Sequence, residues 1–537
     1  MFIHLIRNAG KQAASRMIDK RETLSLATEK TQDVHFKAGS VTVQILIRRL
    51  QSEYAMQKIW EDIEVAYNPD SFAHKAERKG VELLVDAAIK HTNKDRQKAM
   101  MQFIDLAQKF IGDTWDPAAY DRMRDAIATT DTKWYKYISG LFDDITPKQM
   151  KALAVNVGYE AGIRGYKQTR QMAEKYNCNV PWVILMDPTS ACNLRCTGCW
   201  AAEYGHTLAL TYEELESIVK QGRELGIHAY VMTGGEPMMR KKDIIRLAEE
   251  FQDCYFLFYT NGTLIDEEFC KEMVRVGNVS PNISIEGFEE ANDSRRGKGT
   301  FDKIMHAMDL MKEYKCLFGA SICYTSVNYK VVTSDEFLDM LIEKGCKMLW
   351  YFHYMPVGCG ASTDLLLTPE EREYMIQRVR WIRGYHTGKP IMAIDFQNDG
   401  EYIHGCIAGG KYYLHINPNG DVEPCVFIHY SSANIKNQTL LEALQQPLFM
   451  EYRKNQPFNH NYLQPCPMLE NPEKLRAMVK ASGAKSTDME APEDVDALCD
   501  KCEDYAKKWA PVAEKQWEEK HFTRSDGKEE GSMQAVK

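Results

Sequence analysis

Cys192, Cys196 and Cys199 place three thiols within eight residues of AspProThrSerAlaCysAsnLeuArgCysThrGlyCysTrp, 187–200. A closed structural zinc site uses four ligands. Three thiolates without a fourth nearby suit a [4Fe-4S] cluster that keeps one iron open for another ligand. A zinc knuckle completed by a distant residue and a simple cluster of buried thiols are the other readings of the same residues. A second group comprises Cys406, Cys425, Cys466, Cys499 and Cys502, the last two as Cys-x-x-Cys. Gly420 lies five positions before Cys425, where a tight hairpin would aim the thiol inward. Cys-x-x-Cys spacing alone does not select a metal, and zinc fits it too. Cys178, Cys254, Cys270, Cys316, Cys323 and Cys346 fall in helix or strand patterns and read as ordinary buried thiols.

The elements that must hold the triplet are legible around it. Short apolar runs at 182–186, 229–232, 255–259, 279–285, 318–324 and 348–354 read as strands. Amphipathic segments near 211–225, 241–251, 265–275, 300–314 and 334–344 read as the helices between them, the first opening on a Thr211-x-x-Glu214 capping box. Six βα repeats predict a parallel sheet curved into a partial barrel, with the triplet at its C-terminal mouth, where barrels carry function. Before residue 180 the spacing predicts helices at 41–67, 72–91, 95–111 and 147–176. Beyond about 390, cysteines, prolines and glycines are the main landmarks. The expected division is a helical domain over 1–180, the barrel over 181–390, a cysteine-organised domain over 391–518 and a polar tail over 519–537.

Composition sets the outer bounds. The 537 residues, 44% hydrophobic and 27% charged, describe a globular protein large enough to bury a substrate pocket. A net charge of -9 supplies no general attraction to nucleic acid or anionic lipid. Fifteen cysteines behind a start, MFIHLIRNAG, without the apolar core of a secretory signal favour reduced thiols, metal ligation and a cytoplasmic location. Residues 1–21 read as a modest basic amphipathic helix, packed on the following bundle or lying peripherally at a membrane.

Further motifs follow the triplet in order: ThrGlyGlyGluPro at 233–237 after the second run, TyrThrAsnGly at 259–262, AsnIleSerIleGluGly at 282–287, and SerArgArgGlyLysGlyThrPhe at 294–301. Over 180–360 this series resembles the radical S-adenosylmethionine (SAM) superfamily, whose CxxxCxxC loop follows the first strand of a partial (βα)6 barrel. The resemblance implies an α/β enzyme in which Cys192, Cys196 and Cys199 hold a [4Fe-4S] cluster with SAM on the open iron. It implies that Gly234, Gly235, Glu236 and Pro237 contact the SAM amino group. Ser284 and Glu286 would meet its ribose or amino acid part, and Arg296 its carboxylate by bidentate pairing. No residue on the substrate side is assigned. The family carries an aromatic residue just before its third cysteine; here Gly198 stands there, and Trp200 is the nearby candidate for stacking.

The Cys406-x13-Gly420-x4-Cys425 arrangement resembles the SPASM or Twitch extension, which carries auxiliary [4Fe-4S] clusters. Its five cysteines against seven in a full SPASM domain imply at least one auxiliary cluster; a second would need another ligand, such as Cys359. The implied reaction is reductive cleavage of SAM to a 5'-deoxyadenosyl radical that takes hydrogen from an unactivated carbon, with flavodoxin or ferredoxin as reductant. The implied substrate is a peptide or protein; a second enzymatic reading, motivated by the helix at 1–21 and the large helical domain, is radical modification or coupling of lipid acyl chains at a membrane surface. A non-catalytic iron-sulfur or zinc scaffold, or an electron carrier, is the reading from a different class.

Overall fold

The computed structural model describes residues 68–92, 95–111, 117–358, 361–384 and 388–525. The six expected runs form β1 (Val183–Met186), β2 (Ala229–Met232), β3 (Tyr255–Thr260), β4 (Val279–Ser284), β5 (Gly319–Tyr324) and β6 (Met348–His353). Each pairs in parallel with the next. Helices Tyr212–Glu224, Lys241–Glu250, Glu267–Val276, Thr300–Glu313 and Asp335–Glu343 make the return crossings. Both halves of the Thr211–Glu214 capping box are formed, so two backbone donors at that helix start are satisfied.

The sheet continues past residue 390. β7 (Met392–Asp395) adds in parallel to β6, while β8 (Tyr413–Ile416) adds in parallel to β1 and is followed by antiparallel β9 (Val422–Glu423). The cysteine-rich C-terminal segment is thereby built directly onto the strand that launches the triplet.

Side chains alternate between two cores along the strands. Phe256, Phe258, Ile322, Leu349 and Tyr351 are buried beneath the crossing helices. Tyr259, Cys323 and Phe352, on the opposite face, pack toward a second core that includes Val426, Phe427, Tyr452 and Trp509 of the C-terminal region. Cys323 is therefore only partly buried and belongs to the face where ligands enter, not to the sealed interior its strand pattern suggested.

Helices Phe72–Thr92, Arg96–Ile111, Pro117–Ile127 and Lys133–Asp144 precede an unbroken helical run. That run comprises Pro147–Ala152, a π-helical stretch Leu153–Gly165, and Tyr166–Lys175, and it packs at the base of the sheet. The expected helix over 41–67 and the basic segment 1–21 lie outside the described residues. The C-terminal region holds more helix than its prolines suggested, including Pro472–Ser482 and Val495–Ser525. The latter contains Pro511 and runs past residue 518, into the stretch expected as a polar tail. No described helix is long and apolar enough to cross a membrane.

Candidate active site and metal centres

The triplet loop leaves β1 at Asp187 and is fastened mainly through its backbone. Arg240 donates to the carbonyls of Pro188 (3.1 Å) and Leu210 (2.8 Å), closing the loop's base. Gly235 N donates to Thr189 O (2.9 Å) and Glu236 N to Ala191 O (2.8 Å). A Cβ on Gly234 would lie 2.6 Å from Thr189 O, and one on Gly235 would run into the carbonyls of Ser190 and Ala191. The close approach these glycines permit is thus to the triplet loop itself.

Glu236 is buried and engaged at both oxygens, accepting from Thr260 Oγ1 (2.7 Å), Met238 N (2.9 Å) and Asn261 N (2.8 Å). Burial raises its carboxyl above the ordinary range against these donors. Pro237 opens the short turn Pro237–Arg240. Asn261 Nδ2 donates to Asn193 Oδ1 (2.8 Å), so the loop after β3 grips the triplet between its first two cysteines.

The loop after β4 brings the charges. Glu286 Oε1 accepts from Arg296 Nε (3.1 Å) and Nη2 (2.5 Å) and lies 2.7 Å from Arg295 Nη1, while its Oε2 is buried without a partner. Arg296 is part of this buried set. Arg295 was not foreseen. Burial opposes its charge, but Cys323, Glu286, Cys196 and Cys199 together hold it above the ordinary arginine range. The Arg295 carbonyl also accepts from Thr197 N (3.0 Å), tying the third side of the triplet loop. Ser284 ends β4, half-buried beside Ser321. Gly198 adopts a left-handed conformation (φ 65°), and a Cβ there would press on the Tyr354 ring at 3.3 Å, so an aromatic from β6's end fills the space beside the loop. Trp200 turns away into packing among Tyr204, His415, Phe427 and His429.

In the C-terminal region, Cys406, Cys425, Cys466 and Cys499 all lie close enough to Tyr452 to act on its buried hydroxyl, and Cys502 neighbours Cys499 one helical turn on. Between the two cysteine groups runs a buried polar chain. His415 Nδ1 is 2.6 Å from Glu423 and Nε2 is 3.1 Å from Asp187, and Tyr204 donates to Glu423 (2.9 Å).

Residues 186–342 match the family model described as the Radical SAM superfamily, and residues 406–468 match SPASM, an iron-sulfur cluster-binding domain. The chain thus carries a radical SAM domain followed by a SPASM domain. It is similar to an uncharacterized protein of Archaeoglobus fulgidus, 30% identical over 45% of this chain and 56% of that one. It is also similar to Fe-coproporphyrin III synthase of Methanosarcina barkeri, 27% identical over 41% and 57% respectively. The chain thus spans somewhat over half the length of these curated relatives. Among solved structures it is similar to Streptococcus suis SuiB bound to precursor peptide SuiA, with 19% identity, a TM-score of 0.47, and coverage of 58% of this chain and 77% of that one.

The donors present fit the clusters such domains bind. Leu194 N donates to Cys192 Sγ, Ala408 N to Cys406 Sγ and Leu469 N to Cys466 Sγ, each at 3.4 Å, and Tyr413 Oη donates to Cys425 Sγ at 2.7 Å. Donors aimed at sulfur suit thiolate ligands and tune a cluster's potential. By contrast, Cys316 and Cys346 donate to carbonyls, as neutral thiols do. Cys359 lies outside the described residues. In the radical SAM site the orphaned Glu286 Oε2 offers an acceptor to an ammonium or hydroxyl of SAM.

Proposed function

We propose that this protein is a radical SAM enzyme acting on a carbon of a peptide or protein substrate. When bound, the cluster and SAM supply one-electron cleavage of a carbon–sulfur bond, yielding methionine and a 5'-deoxyadenosyl radical that takes a hydrogen atom. The observation that carries the reading is convergence. The three-thiol loop after β1, the Gly234–Pro237 loop after β2, Asn261 after β3 and the Glu286–Arg295–Arg296 set after β4 meet at the C-terminal mouth of one parallel sheet.

The chain's own residues do three things there. Cys192, Cys196 and Cys199 are the ligands for the cluster. Arg295 and Arg296 hold Glu286 rigidly, so that Oε2 is presented for SAM, and their charges offset those of thiolates and of the SAM carboxylate. Tyr259, Phe352 and Phe396 line the inner face with apolar surface that excludes water from a reactive radical.

A cavity of about 600 Å³ lies on the flank of this site, with room for a few side chains of such a substrate. Its walls include Val357, Phe427, His429, Tyr430, Glu493 and Lys501. One wall, at Gly358, is pressed against the backbone of Cys199 and Trp200, and the other is the start of the helix bearing Cys499 and Cys502. A substrate there would lie between both cysteine groups. A tetrapyrrole substrate is the second reading, on the likeness to Fe-coproporphyrin III synthase.

The test is anaerobic reconstitution, iron and sulfide counting, and incubation with dithionite and SAM. Formation of 5'-deoxyadenosine is expected, along with its loss, and the loss of about four irons, when Cys192, Cys196 and Cys199 are replaced by alanine. A reconstituted, reducible protein that makes no 5'-deoxyadenosine would overturn the reading. Stimulation of turnover by iron coproporphyrin and not by peptide pools would move it to the tetrapyrrole.

A further inference from the structure

At the opposite end of the barrel, His228, Asp253 and Cys254 converge in a way the radical SAM chemistry does not use. His228 stands immediately before β2, and Asp253 and Cys254 immediately before β3. His228 Nδ1 is 3.5 Å from Asp253 Oδ2 and 3.9 Å from Cys254 Sγ, and Cys254 Sγ is 3.8 Å from Asp253 Oδ1. Among the described residues this is the set of three His, Cys, Asp or Glu donors whose ligand atoms all lie within 4.8 Å of one another. A tetrahedral zinc ion with Zn–S near ~2.3 Å and Zn–N or Zn–O near ~2.0 Å separates its ligand atoms by about 3.3–3.6 Å, so only small shifts would close the set on the ion.

We propose that His228, Asp253 and Cys254 form a zinc site that fastens the N-terminal helices to the base of the barrel.

Outer partners fix the Asp253 and Cys254 sides of the set. Arg223 donates to Asp253 at 2.9 Å and fixes its carboxylate. Asn156 and Asn278 donate to the Cys254 carbonyl at 2.8 and 3.0 Å and lock the backbone on which the thiol sits. Glu160, hydrogen-bonded by His74 at 2.9 Å, acts electrostatically on His228. Cys254 also differs from the thiols of the metal-free interior. Cys316 and Cys346 each find a carbonyl to donate to, whereas the Cys254 sulfur faces a carboxylate and an imidazole nitrogen, two groups that are themselves ligands.

The surrounding charges hold the set in place: Arg223 bridges Asp70 and Asp253, and Arg78 pairs with Glu160. His228 and Cys254 are sealed from solvent and Asp253 is slightly exposed, so the fourth position falls to water on the Asp253 side. Asn156 and Glu160 belong to the π-helical stretch and His74 and Arg78 to the helix before it, so the ion would sit where those helices dock.

The site is independent of the proposed reaction. The experiment is metal analysis of full-length protein expressed with zinc and reconstituted with iron and sulfide, together with zinc-edge X-ray absorption. About one zinc per chain is expected, with one sulfur near ~2.3 Å and the remaining ligands nitrogen or oxygen near ~2.0 Å. Zinc should persist when Cys192, Cys196 and Cys199 are replaced, and disappear from His228→Gln and Cys254→Ala with iron content unchanged. Absence of zinc from wild-type protein that carries its full iron would overturn the proposal. So would a zinc spectrum with three or four sulfurs, which places the ion in a cysteine group. Should either variant fail to fold, the wild-type spectrum decides alone.

Discussion

His415 is the residue on which both halves of the molecule lean. Burial works against its charge, yet the carboxylates of Asp187, just after β1, and Glu423 on β9 hold the imidazolium up to about 10, from an ordinary value of 6.5. Tyr204, Asn417 and Thr487 donate to Glu423 in the same network, and the Trp200 ring lies against His415. A raised folded-state value means the stabilisation is complete below pH 6.5 and is lost as pH climbs through about 10. Thermal stability is therefore expected to fall between those limits, and His415→Gln should flatten the fall while lowering the plateau. An unchanged pH slope in that variant would remove His415 from the account. Little of this network was legible in the chain, because Asp187 lies more than two hundred positions before His415 and Glu423 and meets them only once β8 adds beside β1. The triplet and the Gly234–Pro237 loop were legible because their spacing is local. Arg295 and Cys323 were not, since what marks them is their approach to each other, one from the short helix Glu289–Arg296 after β4 and the other from β5.

At the scale of elements, period and capping predicted the six strands and their crossing helices to within about two residues, because each carries its own start signal and a one-sided or fully apolar pattern. The C-terminal helix Val495–Ser525 was missed for a physical reason. Pro511 breaks its pattern, and its stability comes from burying Cys499, Cys502 and Trp509 rather than from local propensity. The Gly235 turn shows how one element depends on another. With no Cβ, the β2 loop lies flat on the Thr189–Ala191 backbone and places two hydrogen bonds into it. Gly235→Ala should lift the two loops apart, costing on the order of 1–3 kcal/mol and lowering iron loading at the triplet while sparing the C-terminal group. Differential scanning calorimetry and iron counts against the wild type check both effects, and full iron loading in a variant of unchanged melting temperature would show that the loops do not depend on the contact.

For the whole molecule, the decisive joint is the one between barrel and SPASM domain, and it is made by charge inside an apolar core. Arg372, on helix Pro369–Arg383, is fully buried, stacks over Trp509 at 4.2 Å, bonds Asn398 at 2.8 Å and pairs with the equally sealed Glu470. Glu470 in turn accepts from Cys466 N at 2.6 Å, fixing the backbone of one candidate ligand. A buried pair adds little net stability, because desolvation offsets its attraction, but removing one partner strands the other charge. Arg372→Met should thus destabilise by about 3–5 kcal/mol, whereas Arg372→Met combined with Glu470→Gln should recover much of that loss. The iron count separates anchoring from mere packing. If Glu470 positions Cys466, both proteins should lose iron from the C-terminal group, and the double variant should do so despite its restored melting temperature, because a neutral amide held by no guanidinium no longer fixes the Cys466 backbone. A double variant that regains stability and iron together would mean that the pair serves packing alone, and that the cluster domain is positioned by β8 and β9 without it.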